Sequence, residues 1–338
     1  MEKSPISLHK KLFYHPDRLS SFLKTGSTTP ITWELDPTNN CNHDCIGCFA
    51  KGAGGRSNNE FLRLEEAKDY VDQIQDLGAK AINLTGGGDP MMNRATPEIV
   101  SYIKSKGMDV GMVTNGSLFN EENSKIILEN CTWVRISLDS GSPKVFSEIR
   151  RRPEKEFWII IDKIGKLADL KRKVESDCTI GVGFLTSKQT IPDMVEFTKL
   201  MRSSFVDYVE FRPFHGDYTI PYNIEDCLKM QTKTFKVHYN TFKYDGDYKK
   251  KYCKCHGQNF SGIINVHKVY VCCHLRGVEK YELGDLREDS LEKVWNSDKR
   301  KNIVDNIDFK DCIALCKLDL VNRSLAELEG EPSHVNFI

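Results

Sequence analysis

Apolar residues follow two different periods along the first two thirds of the chain. From Leu64 to Leu77 they recur at intervals of three and four residues and Gly78 follows, which predicts an amphipathic helix that ends at this glycine. Residues 31–36 alternate in β-rich types, and residues 81–84 form a short apolar run. These two stretches predict strands on either side of the helix.

The alternation of strand and helix signals continues to residue 211. Further helices are predicted at 96–106, 120–130, 143–150, 154–171 and 191–201, and further strands at 109–113, 133–138, 179–185 and 207–211. Strands that alternate with helices of about ten or more residues are typical of βαβ units around a parallel sheet. The sequence therefore predicts an α/β fold with six such strands, whose sites are expected in the loops after the strands.

The other stretches differ in composition from this repeating part. Residues 1–30 are polar and predict an N-terminal cap ahead of a main α/β domain at 31–216. Residues 217–250 are rich in lysine and tyrosine and predict a connector that is partly helical. Cysteines return in residues 251–320, which predict a small α+β domain, and residues 321–338 are expected to form a tail that folds back towards the main domain.

Charge and hydropathy exclude some classes of partner. Lysine plus arginine and aspartate plus glutamate number 48 each, so net charge gives no argument for nucleic acid or an anionic membrane as the main partner. Among the 338 residues no apolar run approaches the length of a membrane span, and Met1 to Leu12 have no hydrophobic signal core. We expect a soluble cytoplasmic protein, in which 12 cysteines indicate metal or redox use.

Three cysteines stand together just after the first predicted strand. Cys41, Cys45 and Cys48 form a C-x3-C-x2-C motif. Iron-sulfur clusters are usually held by four thiolates, so three in a compact loop could hold a [4Fe-4S] cluster with one iron open to a ligand. Two alternatives stay open, a structural zinc site with His43 as a poor candidate ligand and a disulfide with one thiol left over.

The motif, its place after a first strand and the elements that follow resemble the radical S-adenosylmethionine (SAM) enzyme superfamily. The resemblance implies a partial (β/α)6 TIM-like barrel in which Cys41, Cys45 and Cys48 ligate a [4Fe-4S] cluster. The fourth iron would chelate the amino and carboxylate groups of SAM. This chain departs from the family at Gly47, where an aromatic residue is usual, and Phe49 is the alternative aromatic contact to the adenine.

The loop after the second strand reads Thr-Gly-Gly-Gly-Asp-Pro. Consecutive glycines let a ligand approach the backbone and expose amide groups, although a glycine run can also be a bare turn. About 40 residues after the cysteine loop, it resembles the family's Gly-Gly-Glu segment, whose backbone binds the SAM amino group. Gly86, Gly87, Gly88 and Asp89 are the corresponding residues, with Asp89 in place of the glutamate.

Polar residues also follow the third and fourth strands. Thr114 and Asn115 end the third, and Ser137 and Asp139 end the fourth. Such residues commonly cap helices and make turns. By resemblance, all four are candidate SAM contacts, with Ser137 and Asp139 near its ribose and methionine parts, and Arg150 could pair with its carboxylate.

Charged residues lie on and after the sixth predicted strand. Glu210, Arg212 and His215 are either substrate contacts or parts of a satisfied ion pair, and we favour substrate contacts.

A second group of cysteines accompanies a strand-turn-strand pattern from Ser261 to Val271. It comprises Cys253, Cys255, Cys272, Cys273, Cys312 and Cys316. A hairpin with a thiol at each end and a distant C-x3-C pair can close four sulfurs around one metal centre.

This region resembles the C-terminal extensions called SPASM and Twitch, which carry auxiliary iron-sulfur clusters. The C-x2-C-x5-C-x3-C run of the full SPASM version is absent, so the resemblance favours Twitch, with one auxiliary [4Fe-4S] cluster. The chosen ligands are Cys255, Cys272, Cys312 and Cys316; Cys253 and Cys273 are the competing candidates, and zinc is the alternative metal.

By resemblance, the enzyme reductively cleaves SAM to a 5′-deoxyadenosyl radical that abstracts hydrogen from a substrate. A reductase such as flavodoxin or ferredoxin would donate the electron, and the auxiliary cluster would transfer electrons or position the substrate. About 30 residues before the barrel are too few for a peptide-recognition domain. We therefore expect a small-molecule substrate such as a sugar, nucleotide or amino-sugar, with a methyl-transferring or peptide-modifying radical enzyme and a non-catalytic metal-binding module as alternatives.

Overall fold

All strands of the described residues belong to one sheet of ten. The structure is a computed structural model that describes residues 8–52, 59–244, 249–314, 316–328 and 334. The strands are β1 (Thr32–Asp36), β2 (Ala81–Leu84), β3 (Asp109–Thr114), β4 (Trp133–Ser137), β5 (Thr179–Thr186), β6 (Tyr208–Pro213), β7 (Lys236–Tyr239), β8 (Ser261–Asn265), β9 (Lys268–Tyr270) and β10 (Glu282–Asp285). Their order is β10-β9-β8-β1-β2-β3-β4-β5-β6-β7.

Helices connect the parallel strands. The α-helices are α1 (Leu8–Lys11), α2 (Pro16–Thr25), α3 (Phe49–Gly52), α4 (Leu64–Asp76), α5 (Thr96–Ser105), α6 (Glu121–Asn130), α7 (Pro143–Arg150), α8 (Lys155–Lys173), α9 (Met194–Ser203), α10 (Ile224–Leu228), α11 (Leu291–Asn296), α12 (Asp298–Asp305) and α13 (Asp319–Ala326). Short 3-10 helices lie at Leu12–Tyr14, Pro90–Met92, Ile191–Asp193, Thr241–Lys243, His256–Phe260, Glu279–Tyr281 and Phe309–Asp311.

The six predicted strands are confirmed, each with ends within two residues of the prediction. Strands β1 to β7 pair in parallel with their neighbours in chain order. This is the α/β arrangement of a partial barrel, because each crossover helix covers the outer face of an open parallel sheet.

Two strand pairings were not predicted. Strand β7, in the stretch assigned to the connector, pairs with β6 in parallel. Its sequence, Lys-Val-His-Tyr, has too few apolar residues to signal a strand. Strand β8, the first strand of the late hairpin, pairs in parallel with β1. The barrel sheet therefore continues into the cysteine-rich C-terminal region.

The strands bury one set of side chains under the helices and point the other into the barrel. On β6 the outward residues Val209 and Phe211 are fully buried, whereas Tyr208, Glu210 and Arg212 are partly accessible from the inside. This alternation follows from the pleat of a strand. The inner face, which we call the lumen, is therefore polar and charged.

The N-terminal helix α2 contacts the C-terminal region. Its Phe22 packs with Phe260, Val321 and Leu325 in a separate apolar cluster. Residues 329–333 and 335–338, which are half of the predicted tail, lie outside the described residues. None of the helices within the described residues has the length and apolar content needed to cross a membrane.

A buried arginine joins the C-terminal region to the first strand. Arg276 lies 2.7 Å from Asp36 Oδ2 and 2.9 Å from Glu34 Oε2, with both carboxylates on the lumen side of β1. Asp36 also accepts hydrogen bonds from Thr85 and Asn265. Burial raises the pKa of Asp36, and the positive charge of Arg276 opposes that rise. The ion pairs thus compensate two acids that burial would otherwise penalise.

We predict that Arg276→Met lowers the free energy of unfolding by about 3–5 kcal/mol, because it leaves buried carboxylates without their main cation. Arg287→Met is the matched control, since Arg287 pairs with Asp285 while half of its side chain is exposed, and should cost about 0–1 kcal/mol. The shift in the urea midpoint measures both. Equal shifts for the two variants would show that the buried pairs contribute no more than a surface pair.

Candidate active site

The three-cysteine loop lies between β1 and α3, and its thiols are half-buried. Its backbone is held against the end of α7, because Asp44 N donates to Arg150 O at 3.3 Å and Ile46 N donates to Ile149 O at 3.0 Å. The amide of His43 lies 3.4 Å from Cys41 Sγ. The structure therefore brings the three predicted ligands together on one loop that is fixed to the barrel.

Arg150 places a positive charge beside this loop. Its Nη1 lies 3.3 Å from Cys45 Sγ, and its Nη2 lies 2.7 Å from Asp139 Oδ2. Burial alone would lower the pKa of Arg150, but the charges of Asp139 and Cys45 raise it. Asp139 has a left-handed backbone (φ 60°) and also accepts from Leu185 N at 2.8 Å. These contacts hold a permanent cation next to a thiol.

The glycine loop packs directly on the cysteine loop. Gly88 N donates to Thr38 O at 3.1 Å, and a Cβ at Gly88 would lie 1.8 Å from the carbonyl oxygen of Asn40. Only glycine allows this approach. Among the described residues, the amides of Gly86 and Gly87 donate to no acceptor. They are therefore available to a ligand beside the thiols.

Asp89 ties the loops after β2 and β3 together. Its buried carboxylate accepts from Thr114 Oγ1 at 3.0 Å and from the amides of Asn115 at 2.6 Å and Met91 at 3.0 Å. Burial raises its pKa in spite of these bonds. Asp89 and Thr114 thus bond to each other and to protein, whereas Asn115 Nδ2 reaches to 4.0 Å from Cys41 Sγ.

Phe214, which the sequence analysis did not select, fills the space above Gly47. A Cβ at Gly47 would lie 1.7 Å from a carbon of the Phe214 ring. Phe214 follows β6, where its amide donates to Thr186 O at 2.8 Å. An aromatic ring therefore covers the position before the third cysteine, although it comes from a distant part of the chain. Phe49 begins α3, and its side chain lies outside the described residues.

Four of the late thiols line one cavity. Its lining includes Cys255, Cys272, Cys312 and Cys316. Cys253 is exposed and Cys273 is buried against Cys272, and neither of them lines the cavity. The structure thus brings together the four thiols selected from the sequence.

Nitrogen donors surround these thiols. Asn322 Nδ2 lies 3.6 Å from Cys255 Sγ, and Lys250 Nζ lies 3.9 Å from Cys316 Sγ. Gln258 also lines the cavity, and its buried Nε2 has no hydrogen-bond partner within the described part of the chain. Burial raises the pKa of Cys255 to about 12. A metal centre, which stabilises thiolates and accepts N–H···S bonds at its sulfurs, fits this lining.

The charged residues of β6 lie in the lumen. Glu210 Oε2 is 2.7 Å from Nη1 of Arg135 on β4 and 3.6 Å from Nε of Arg212. His215 is exposed, and its ring centroid is 5.8 Å from that of His274, which lines the thiol cavity. Arg135 was not predicted from the sequence. The available signal was a charged residue within a predicted strand, at a position whose side chain faces the lumen. Ser137 ends the same strand and is half-buried.

Two family models match the chain. The model of the radical SAM superfamily matches residues 35–200, which include the cysteine and glycine loops. The model of an iron-sulfur cluster-binding domain, SPASM, matches residues 253–318, which include all six late cysteines.

Curated relatives are similar over shorter stretches. Fe-coproporphyrin III synthase of Methanosarcina barkeri is 28% identical over 58% of this chain and 46% of its own length. This chain therefore matches less than half of that protein. GTP 3′,8-cyclase of Staphylococcus aureus is 26% identical over 70% of this chain and 72% of its own length.

Solved structures show the same fold. SuiB of Streptococcus suis, in a crystal structure with the precursor peptide SuiA, aligns over 91% of this chain and 74% of its own chain, with a TM-score of 0.65 and 15% identity. The anSMEcpe structure with bound AdoMet and a peptide aligns over 87% of this chain and 88% of its own chain, with a TM-score of 0.56 and 17% identity. At such identities the likeness is one of fold.

We predict that Gly88→Ala weakens SAM binding at least about tenfold, because the new methyl group forces the glycine loop away from Asn40. Gly165→Ala is the control, since no atom lies within 4 Å of a Cβ at this position in α8 and alanine is favoured over glycine in helices. Calorimetric titration of SAM into anaerobically reconstituted protein measures both affinities. Unchanged affinity in Gly88→Ala would mean that the packing of the two loops does not shape the site.

Proposed function

Because this chain belongs to the radical SAM superfamily, we propose that it cleaves SAM reductively and uses the resulting radical to abstract hydrogen from a small molecule in the barrel lumen. The observation that carries this proposal is the packing of Gly88 on the cysteine loop. It brings three thiols, the charge of Arg150 and the amides of Gly86 and Gly87 to one end of the barrel.

The residues of this end fit a [4Fe-4S] cluster and SAM. Cys41, Cys45 and Cys48 would hold the cluster, and the amides of Gly86 and Gly87 would donate hydrogen bonds to acceptor groups of SAM. The chemistry that such a cluster supplies with bound SAM is reductive cleavage to methionine and a 5′-deoxyadenosyl radical. Arg150 places a cation beside Cys45, where it would donate a charge-assisted hydrogen bond to the sulfur of a cluster ligand.

Phe214 would supply the aromatic surface for the adenine. Its ring occupies the space that a side chain at position 47 would otherwise fill. Aromatic faces stack on nucleobases, and such stacking is worth about 1–3 kcal/mol per base. The chain thus replaces an aromatic residue in the cysteine loop by one from the loop after β6.

The cavity of the C-terminal region would hold one auxiliary [4Fe-4S] cluster on Cys255, Cys272, Cys312 and Cys316. What supports this assignment is their shared cavity and the buried Nε2 of Gln258, which has no hydrogen-bond partner among the described residues. The cluster would transfer electrons or position the substrate, and a reductase such as flavodoxin or ferredoxin would supply the electron for SAM cleavage.

A small-molecule substrate is favoured over a peptide. Among the relatives, GTP 3′,8-cyclase is named for a nucleotide substrate and covers 70% of this chain. The likeness to SuiB with its precursor peptide rests on 15% identity and concerns the fold. Peptide modification is therefore the second candidate.

We predict that anaerobically reconstituted protein binds about eight irons, and that the triple variant Cys41→Ala, Cys45→Ala, Cys48→Ala binds about four. The variant should form no 5′-deoxyadenosine with dithionite and SAM. Iron analysis and chromatography of the products measure the two effects. Cys253→Ala, which removes an exposed thiol outside the cavity, should retain the iron content of the wild type.

Two results would contradict these assignments separately. Continued SAM cleavage by the triple variant would exclude the cysteine loop as the catalytic centre. A wild-type content of one zinc and about four irons would show that the C-terminal site binds zinc and not a cluster. The assignment of the barrel site would then be unaffected.

We predict that Phe214→Ala weakens SAM binding about five- to a hundredfold, because the adenine loses its stacking surface. Phe205→Ala is the matched control, since this ring is 68% exposed at the end of α9. Equilibrium titration of SAM without dithionite measures binding apart from turnover. Equal SAM affinities in the two variants would assign the adenine to another surface.

A further inference from the structure

We propose that Arg135, Arg212 and Lys243 form an anion site in the lumen that binds the phosphate group of a phosphorylated small-molecule substrate. The inference rests on the proposed function, because it assigns the chemical class of the substrate to the same lumen. The three residues come from β4, β6 and the 3-10 helix after β7.

The first observation is that two arginines share one carboxylate. Arg135 Nη1 lies 2.7 Å from Glu210 Oε2, and Arg212 Nε lies 3.6 Å from the same oxygen. Glu210 therefore orients both guanidinium groups but can neutralise only one of them.

The second observation is that most of the donors in this group have no acceptor. Within the described residues, the side chain of Arg212 donates no hydrogen bond, and Nε of Arg135 has no partner. The ammonium of Lys243 likewise makes neither an ion pair nor a hydrogen bond to described residues. A guanidinium carries five N–H donors, so the two arginines present many unused donors to the lumen.

The third observation is an excess of positive charge. Three cations face the carboxylate of Glu210, with His238 and Tyr208 as further neighbours and with Cys316 near Lys243. Burial and the charge of Arg212 lower the pKa of Lys243 to about 8, so it stays mostly protonated at neutral pH.

The other acids around the lumen cannot offset this excess. Asp139, which lies near Arg212, already pairs with Arg150 at 2.7 Å. Glu34 and Asp36 on β1 pair with Arg276. Since buried charges are normally paired, the positive charge that Glu210 does not neutralise indicates a ligand that brings negative charge.

Strand β5 places no side chain between the two arginines. Its lumen-facing position between the two arginines is Gly183, which pairs with Glu210 in the sheet. A Cβ there would lie 3.5 Å from Arg135 Cδ and 3.7 Å from Arg212 Nη2. Strand β5 therefore contributes no side chain that would compete with a ligand for the two guanidinium groups.

A phosphate group matches this site better than a carboxylate. A phosphate monoester carries up to about two negative charges near neutral pH, whereas a carboxylate carries one. The planar forks of two arginines suit bidentate bonds to phosphate oxygens, with a lysine as an additional point charge.

Calorimetric titration of inorganic pyrophosphate into the reconstituted wild-type protein with SAM tests the proposal, with acetate as the probe for a carboxylate. We expect pyrophosphate to bind at least about tenfold more tightly than acetate and to bind more weakly as salt increases. Arg212→Gln should weaken pyrophosphate binding at least about tenfold, because it removes one of three cations and a bidentate donor. Lys243→Gln should weaken it as well.

Arg202→Gln is the matched control, since Arg202 is exposed on α9, and it should bind pyrophosphate like the wild type. The melting temperature of Arg212→Gln checks folding, and the Arg135–Glu210 pair is unaltered in this variant. Absent binding in the wild type, or wild-type affinity in both Arg212→Gln and Lys243→Gln, would overturn the proposal. Tighter binding of acetate would also overturn it and would favour a peptide carboxylate.

SAM cleavage by the same wild-type preparation separates this inference from the proposed function. Formation of 5′-deoxyadenosine without pyrophosphate binding would contradict the phosphate site alone. Pyrophosphate binding without any SAM cleavage would contradict the proposed function.

Discussion

The paired burial of Arg276 with Glu34 and Asp36 is the interaction on which the arrangement of the two chemical centres depends. Strand β1 carries the two carboxylates and leads directly into the cysteine loop, whereas Arg276 follows the hairpin that bears Cys272. Neither the acids nor the base could be buried alone without a large desolvation penalty. The ion pairs and the parallel pairing of β8 with β1 therefore make the C-terminal region part of the barrel.

The same electrostatic constraint recurs at both sets of thiols. Clustered thiolates repel one another unless cations or N–H donors lie nearby. Arg150 has this role beside Cys45, and Lys250 and Asn322 have it beside Cys316 and Cys255. The sequences around the two sets of cysteines differ. Both sets nevertheless have nitrogen donors or cations nearby, because thiolate ligands at either site would carry negative charge.

The lumen differs on its two sides, and the difference points to function. On the β1 side, acids and bases occur in pairs that satisfy each other. On the side of β4 and β6, Arg135, Arg212 and Lys243 face Glu210, and the charges do not balance. Natural folds depart from such balance mainly where a ligand restores it. We therefore place the substrate on the side of β4 and β6, where the charges do not balance. The paired charges on the β1 side stabilise the fold.

The sequence by itself determined the features that are local. The helical and strand periods predicted six parallel strands, and three cysteines within eight residues predicted the cluster loop. Both signals lie within short stretches of the chain, so they can be recognised without knowing which distant residues are in contact. The tertiary structure alone decided which distant residues meet. It added β7, paired β8 with β1, placed Phe214 over Gly47 and brought Arg135 to Arg212. These contacts form because the strands curve around a common lumen. The local sequence pattern does not specify that curvature, so it cannot predict which distant residues meet.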